Sequence, residues 1–199
     1  KRGLDWRIPG AYAAAASNRL GSLHLQNPMM RTVMTGKPSS LSIAFVNGAY
    51  PVRAGNHVRP LIDGVPAFAR ICSAVDAARR SVWVTVTFLW PEFLMPDGRM
   101  FFDVLDAAVS RGLDVRVVFW RPDKLVGQYE RNCFWGAPAQ REMLAARNSD
   151  VRIRWDRAQS GFAQHQKSWL IDAGEDGEVA FVGGINQNPH SVVSPGHRN

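Results

Sequence analysis

The stretch HQKSWLID at residues 165–172 is the most informative part of the sequence. Its residues alternate as in a half-buried strand, so side chains two positions apart share a face. This places the imidazole of His165, the ammonium group of Lys167 and the indole of Trp169 side by side. The stretch AFVGGIN at residues 180–186 indicates a second strand that runs into glycines. Because a polar turn joins the two strands, they are predicted to form a hairpin.

Upstream of this hairpin, apolar residues switch repeatedly between the periodicity of a strand and that of a helix. Helices are predicted at residues 65–80, 101–111 and 137–147. Strands are predicted at residues 41–47, 58–62, 82–89, 115–120, 151–155, 164–171 and 178–182. This order predicts an α/β fold, a layered α-β-α domain with a mixed, mostly parallel sheet.

Length and composition exclude several classes of protein. The chain has 199 residues, of which 46% are hydrophobic and 21% are charged, so it is neither wholly disordered nor fibrous. No apolar run approaches the roughly 18 residues of a membrane-spanning helix, and we expect a soluble chain or one peripheral at a membrane surface. Residues 1–39 are predicted to be a basic, largely irregular extension, and residues 40–199 to be the α/β domain.

The positive charge is concentrated near the start of the chain. The formal net charge is +7, and residues 1–60 hold eight Lys or Arg residues against one acidic residue, Asp5. Such a segment favours an anionic partner, which could be a phosphate backbone, an acidic lipid surface or an acidic substrate. The alternative interpretation is a basic extension that only keeps the protein in solution.

The residue types around the hairpin suit attack on phosphorus. A neutral His165 is a nucleophile, Lys167 can hold a phosphoryl oxygen, and Asn186 can donate a further hydrogen bond to it. Gly184 lets the backbone approach a ligand closely, and a carboxylate such as Asp172 would fix the tautomer of a histidine. The pattern does not suit a metal site, because no second ligand stands near His165 and Lys167 would repel a cation. We therefore expect neither a metal nor a cofactor.

The pattern His165-x-Lys167-x4-Asp172, followed by Gly183-Gly184-x-Asn186, resembles the catalytic motif of the phospholipase D superfamily, most closely its phospholipase D-like and cardiolipin-synthase-like members. The resemblance implies a metal-independent phosphodiesterase that works through a covalent phosphohistidine. By matching position, it implies that His165 is the nucleophile, that Lys167 and Asn186 clamp the phosphate, and that Asp172 is an orienting residue.

The sequence departs from the family pattern because the motif occurs once, whereas the resemblance implies two copies on two similar halves. No other histidine has Lys at the second following position and Asp at the seventh. We therefore expect this chain to be the first half of a two-copy enzyme, with the second motif coming from another segment or chain.

Three functions remain open. The first is a phosphodiesterase that hydrolyses phospholipids or transfers their phosphatidyl group at an anionic membrane surface, with Trp169 as a possible substrate-pocket residue. The second is a nuclease, which is less expected because aromatic side chains for base stacking are sparse in the basic segment. The third is a catalytically inert half-domain that binds anions. Cys72 and Cys133 could form one disulfide, which the sequence leaves open.

Overall fold

The computed structural model describes residues 56–123 and 132–192. The predicted extension at residues 1–39 and the predicted strand at residues 41–47 lie outside these ranges, and the domain boundary near residue 40 stays a prediction. The described residues from Pro60 onward belong to one compact unit.

Helices and strands alternate along the described ranges. Their order is α1 (Gly64–Ala77), β1 (Ser81–Val86), α2 (Phe101–Ser110), β2 (Asp114–Trp120), α3 (Pro138–Ala146), β3 (Arg152–Asp156), β4 (Lys167–Ile171), β5 (Val179–Gly183) and a 3₁₀ turn at Pro189–Ser191. The strand predicted at residues 58–62 is wrong. Val58 and Ile62 are 86% and 75% exposed, and no strand of the described ranges pairs with this stretch.

The sheet has the strand order β3-β2-β1-β4-β5. Strands β1, β2 and β3 are parallel, whereas β4 is antiparallel to both β1 and β5. The predicted α/β fold with a mixed sheet is confirmed, and so is the hairpin of the last two strands. Because β4 runs against β1, β4 begins beside the carboxyl end of β1 and ends beside the start of β1.

The hydrophobic core lies between α1, α2 and one face of the sheet. Alternate residues of β1 (Val82, Val84 and Val86) are fully buried on this face, as expected from the two-residue repeat of a strand. Phe68 of α1 and Phe101 of α2 are also buried against it. Burying a side chain of this size contributes about 1.5–3 kcal/mol, so the core fixes the sheet that carries the site.

The two cysteines are buried and unpaired. Burial raises the pKa of the Cys72 thiol and of the Cys133 thiol to about 12. Both side chains are therefore protonated packing groups at neutral pH and poor nucleophiles. Within the two described ranges, no helix combines the length and apolar character required to cross a bilayer.

Candidate active site

The candidate site lies where the carboxyl end of β1, the start of β4 and the end of β5 meet. Lys167, the first residue of β4, pairs with Gly183, the last residue of β5. The Gln187 amide donates a hydrogen bond to the Phe88 carbonyl over 3.3 Å. This bond ties the segment that follows β5 to the end of β1, so motif residues from both strands lie at one edge of the sheet.

Lys167 is a buried ammonium group, with 6% of its surface exposed. Its Nζ donates to the His165 carbonyl over 3.2 Å and to Thr87 Oγ1 over 3.4 Å, and it lies 5.5 Å from the centre of the Phe88 ring. Burial lowers the pKa of Lys167, and no carboxylate of the described residues forms an ion pair with it. Burying a cation without a counter-ion costs free energy, and a bound anion would offset that cost.

His165 precedes β4, and its side chain is exposed. Its imidazole packs edge-on against the Phe88 ring, with the ring centres 5.8 Å apart. Phe88 therefore contacts both the imidazole and the ammonium group. The exposed imidazole and the buried ammonium group are thus both neighbours of the Phe88 ring.

The residues after β5 leave polar groups without partners. The Asn186 Oδ1 atom is buried and has no hydrogen-bond partner among the residues that the structure describes. Gly183 and Gly184 are exposed, and no atom lies within 4 Å of the position that a Cβ would take at either residue. Packing within the described residues therefore does not require these glycines, and the open space leaves their backbone accessible to a ligand.

Asp172 directly follows β4, at the opposite end of the strand from Lys167, and its predicted role in orienting a histidine stays a prediction. Asp172 is five positions after Lys167, a distance of about 17 Å at the rise of an antiparallel strand. The Asp172 carboxylate accepts hydrogen bonds from the backbone amides of Arg79, Arg80 and Ser81, at 2.8–3.1 Å. It fastens the end of β4 to the junction of α1 and β1.

Trp169 shares a face with Lys167, as predicted, but it is a core residue. Only 2% of its surface is exposed, and its ring packs edge-on against Phe101 of α2, with the centres 5.6 Å apart. Its possible place in a substrate pocket stays a prediction. The two-residue repeat predicts which side chains share a face of the strand. It does not predict which of them pack into the core, as Trp169 does.

A cavity of about 240 Å³ adjoins the site, and sequence reasoning missed it. Its lining includes Phe88, Trp90, Asn132, Asn186, Asn188 and His190. Phe88 and Asn186 belong to both the cavity and the candidate phosphate site. The sequence carries a weak signal for Phe88 and Trp90, which end a strongly apolar run, but none for Asn132, which reaches the cavity from a distant loop. Among the described residues, no three His, Cys, Asp or Glu side chains are gathered as they would be around a metal ion.

Comparison with known proteins gives consistent family matches. Residues 71–196 match the model of the family described as cardiolipin synthase, PLD-like domain. The chain is 30% identical over 152 residues to cardiolipin synthase A of Pseudomonas entomophila (strain L48), and 26% identical over 152 residues to phospholipase D A of Dictyostelium discoideum. These alignments cover 72% and 69% of this chain but only 29% and 11% of the respective relatives.

Solved structures with a similar chain path include Nuc of Salmonella typhimurium, a phospholipase D family member, and NucT of Helicobacter pylori. Their TM-scores are 0.43 and 0.38, at 24% and 14% identity. The matches cover 64% and 63% of this chain, and 69% of each of the other chains.

Proposed function

The chain belongs to the phospholipase D superfamily, in the family of the phospholipase D-like domain of cardiolipin synthase, and from this we propose that it supplies half of an active site that cleaves phospholipid phosphodiesters. The observation that carries the proposal is the buried Lys167 ammonium group, which has no carboxylate partner among the described residues and lies against the backbone of His165. The names of the relatives, a phospholipase D and a cardiolipin synthase, favour a lipid substrate.

In the proposed reaction, a neutral ring nitrogen of His165 attacks phosphorus. A nitrogen–phosphorus bond forms, and the bond from phosphorus to the alkoxy leaving group breaks. Lys167 and the Asn186 amide NH₂ donate hydrogen bonds to the non-bridging oxygens, where negative charge accumulates. Gly184 contributes its accessible backbone. A histidine from a second motif protonates the leaving alkoxide.

The covalent phosphohistidine then breaks down. The second histidine, now neutral, takes a proton from water or from an alcohol, whose oxygen attacks phosphorus. The nitrogen–phosphorus bond breaks and His165 is restored. Water gives hydrolysis and an alcohol gives phosphatidyl transfer. General acid–base catalysis contributes about 10²–10⁴-fold, so we expect the chain alone to turn over very slowly and to need the second motif from another segment or chain.

A nuclease of the same superfamily is the second candidate, because the eight basic residues among residues 1–60 also suit a nucleic-acid backbone. Activity on DNA or RNA that falls steeply with salt, together with an absence of lipid turnover, would favour it. A half-domain that binds anions without catalysis is the third.

The deciding experiment is native mass spectrometry of the purified protein, followed by assays of the species that it identifies. A complex with a different chain that carries a second motif would direct phospholipid assays to that complex. A homodimer would direct them to a site shared between two copies. In the active species, His165→Ala should abolish both turnover and the acid-labile phosphoprotein, whereas the exposed His57→Ala is the matched control. Unchanged turnover in His165→Ala would contradict the proposal.

The proposed mechanism uses no metal ion. We therefore expect turnover to persist in EDTA, and a clear loss of activity after chelation would contradict the mechanism.

A further inference from the structure

We propose that Thr87 is a positioning residue, which holds His165 and the Lys167 ammonium group in the arrangement needed for attack on phosphorus. This inference rests on the proposed function, because it assumes that His165 is the nucleophile and that Lys167 holds a phosphoryl oxygen. Thr87 directly follows β1, and only 1% of its surface is exposed. Its hydroxyl group therefore makes its hydrogen bonds to protein groups rather than to bulk water.

Thr87 continues the pairing of β1 with β4 beyond the backbone ladder. The register of the two strands ends with Thr85 opposite Ser168. Two residues further along β1, Thr87 lies opposite Gln166, and its Oγ1 donates a hydrogen bond to the Gln166 carbonyl over 3.0 Å. This bond takes the place of the backbone pairing that has ended. It therefore fixes the path of the chain next to His165, which precedes the strand.

The same hydroxyl group orients Lys167. A hydroxyl group has one proton, and that of Thr87 is donated to the Gln166 carbonyl, so its oxygen accepts from Lys167 Nζ over 3.4 Å. The ammonium group also donates to the His165 carbonyl over 3.2 Å. These are its two acceptors among the described residues. The third N–H is left for a phosphoryl oxygen.

The neutrality of the hydroxyl group suits this role. A carboxylate at the same place would form an ion pair with Lys167 and compete with a phosphate for the ammonium group. The Thr87 hydroxyl group accepts a hydrogen bond but leaves the positive charge uncompensated. Because the pair is buried, bulk water competes little for this hydrogen bond. Thr87 thus orients the cation without neutralising it.

The bond from Thr87 should matter more for geometry than for stability. Gln166 is exposed, so water can replace the hydroxyl group as the donor to its carbonyl. Water does not, however, fix the distance between this part of the chain and β1. A displacement of reacting groups by about 1 Å can cost about 100-fold in rate. Loss of the hydroxyl group should therefore slow the attack by His165 while leaving the domain folded.

The experiment uses phosphoramidate, a small phosphoryl donor, with the 199-residue chain. A neutral ring nitrogen of His165 forms a bond to phosphorus, the phosphorus–nitrogen bond of the reagent breaks, and ammonia leaves. The nitrogen of phosphoramidate already carries the proton that ammonia needs, so no second motif is required. The imidazolium proton passes to water. Mass spectrometry under neutral conditions locates the phosphohistidine, and the exposed His57 is the reference within the same chain.

The wild-type chain should be phosphorylated faster at His165 than at His57. In Thr87→Val, which replaces the hydroxyl group with a methyl group, the limiting rate at His165 should fall about tenfold to 100-fold. The phosphoramidate concentration at half-saturation should rise by less, about two- to fivefold, as the loss of one hydrogen bond predicts. The rate at His57 should not change.

Three further variants separate positioning from folding. Thr87→Ser keeps the hydroxyl group and should restore most of the rate. Thr87→Ala should be as slow as Thr87→Val, and it brings no new methyl group against Lys167. The matched control is Thr85→Val, because the half-buried Thr85 has no side-chain hydrogen bond among the described residues. It should keep the wild-type rate, and thermal melts of all four variants report whether each is folded.

The outcomes distinguish this inference from the function on which it rests. An unchanged rate at His165 in both Thr87→Val and Thr87→Ala, a Thr87→Ser variant as slow as these two, or an equal loss at His57 would overturn the positioning role. These results would leave the proposed nucleophile intact. If wild-type His165 reacts no faster than His57, or if Lys167→Ala leaves its rate unchanged, the proposed function fails and this inference fails with it.

Discussion

Asp172 has a structural role, although it belongs to a motif that resembles a catalytic one. Its carboxylate accepts from three consecutive backbone amides, those of Arg79, Arg80 and Ser81. Amides at the start of a strand that follows a helix need partners when they are buried. A carboxylate satisfies several of them at once with charge-assisted hydrogen bonds. Lys167 therefore lies in the candidate site at one end of β4, whereas Asp172 stabilises the structure at the other end.

Replacing Asp172 with alanine should lower the free energy of unfolding by about 2–4 kcal/mol, because buried amides lose a charged acceptor. Urea unfolding followed by circular dichroism measures the difference. Asp176→Ala, in the exposed turn after β4, is the matched control and should change stability little. Equal stability of the two variants would contradict the anchoring role.

The contribution of Asp172 to stability should disappear in acid. Burial raises the pKa of this carboxyl, but the backbone amides of Arg80, Ser81 and Arg79 outweigh burial and hold the pKa below its ordinary 3.8. The stabilisation is complete above the pKa of the unfolded chain and is lost as pH falls through the lower pKa of the folded state. The difference in unfolding free energy between the wild type and Asp172→Ala should therefore narrow below about pH 4. A difference that stays constant down to pH 2 would contradict this.

At the scale of elements, the site depends on the packing of the final segment against the start of α1. A Cβ at Gly64 would lie 2.8 Å from the Ser191 carbonyl oxygen and 2.8 Å from the Val192 Cα. This close approach positions the 3₁₀ turn whose His190 lines the cavity. Glycine is thus required at the start of α1 because the backbone of Ser191 and Val192, distant in the sequence, packs against it.

Gly64→Ala should therefore destabilise the domain by about 1–3 kcal/mol, since two backbone atoms must move to admit the methyl group. Gly184→Ala is the opposite case, because nothing lies within 4 Å of its added Cβ. We expect an unchanged melting temperature but weaker phosphate binding for Gly184→Ala. Thermal melts and phosphate titrations of the two variants measure both effects, and a lower melting temperature in Gly184→Ala would assign that glycine a structural role.

Local periodicity correctly predicted helices and strands whose apolar residues pack against neighbouring helices and strands of the domain. Helix α2 and strand β2 follow directly from their apolar spacing, whereas residues 58–62 have the composition of a strand but no partner in the described ranges. Strand β4 begins at Lys167 rather than at residue 164, because its ladder with β5 starts at Gly183. The adjacency of Lys167 and His165 could be predicted from a spacing of two. The partners of Asp172 and the cavity around Asn132 could not, since they join distant segments.

At the scale of the whole molecule, charge is distributed unevenly along the chain. Residues 61–199 contain sixteen basic and sixteen acidic residues, so the net charge of +7 comes from residues 1–60. Each cation close to an anionic membrane contributes about 1 kcal/mol of attraction, which salt screens. Both the proposed lipid substrate and the basic residues among residues 1–60 thus favour binding to an anionic membrane surface.

Replacing Arg7 and Arg19 together with glutamine should weaken binding to vesicles that contain an anionic phospholipid by about tenfold or more at low salt. Replacing the exposed Arg70 and Arg157 removes the same charge from the α/β domain and should weaken binding less. Cosedimentation with anionic and with zwitterionic vesicles at two salt concentrations measures this. Equal losses for the two pairs would assign the attraction to net charge rather than to the basic segment.

The placement of β4 in the sheet fixes the number of residues between Lys167 and Asp172 of the motif. Lys167 lies at one end of β4 and Asp172 directly follows the other end, so the number of residues between them is set by the length of the strand. One inserted residue would also turn every later side chain of the strand to the opposite face. We therefore expect insertions and deletions to be tolerated in the polar turn that follows, at residues 173–178, but not within the five residues of β4.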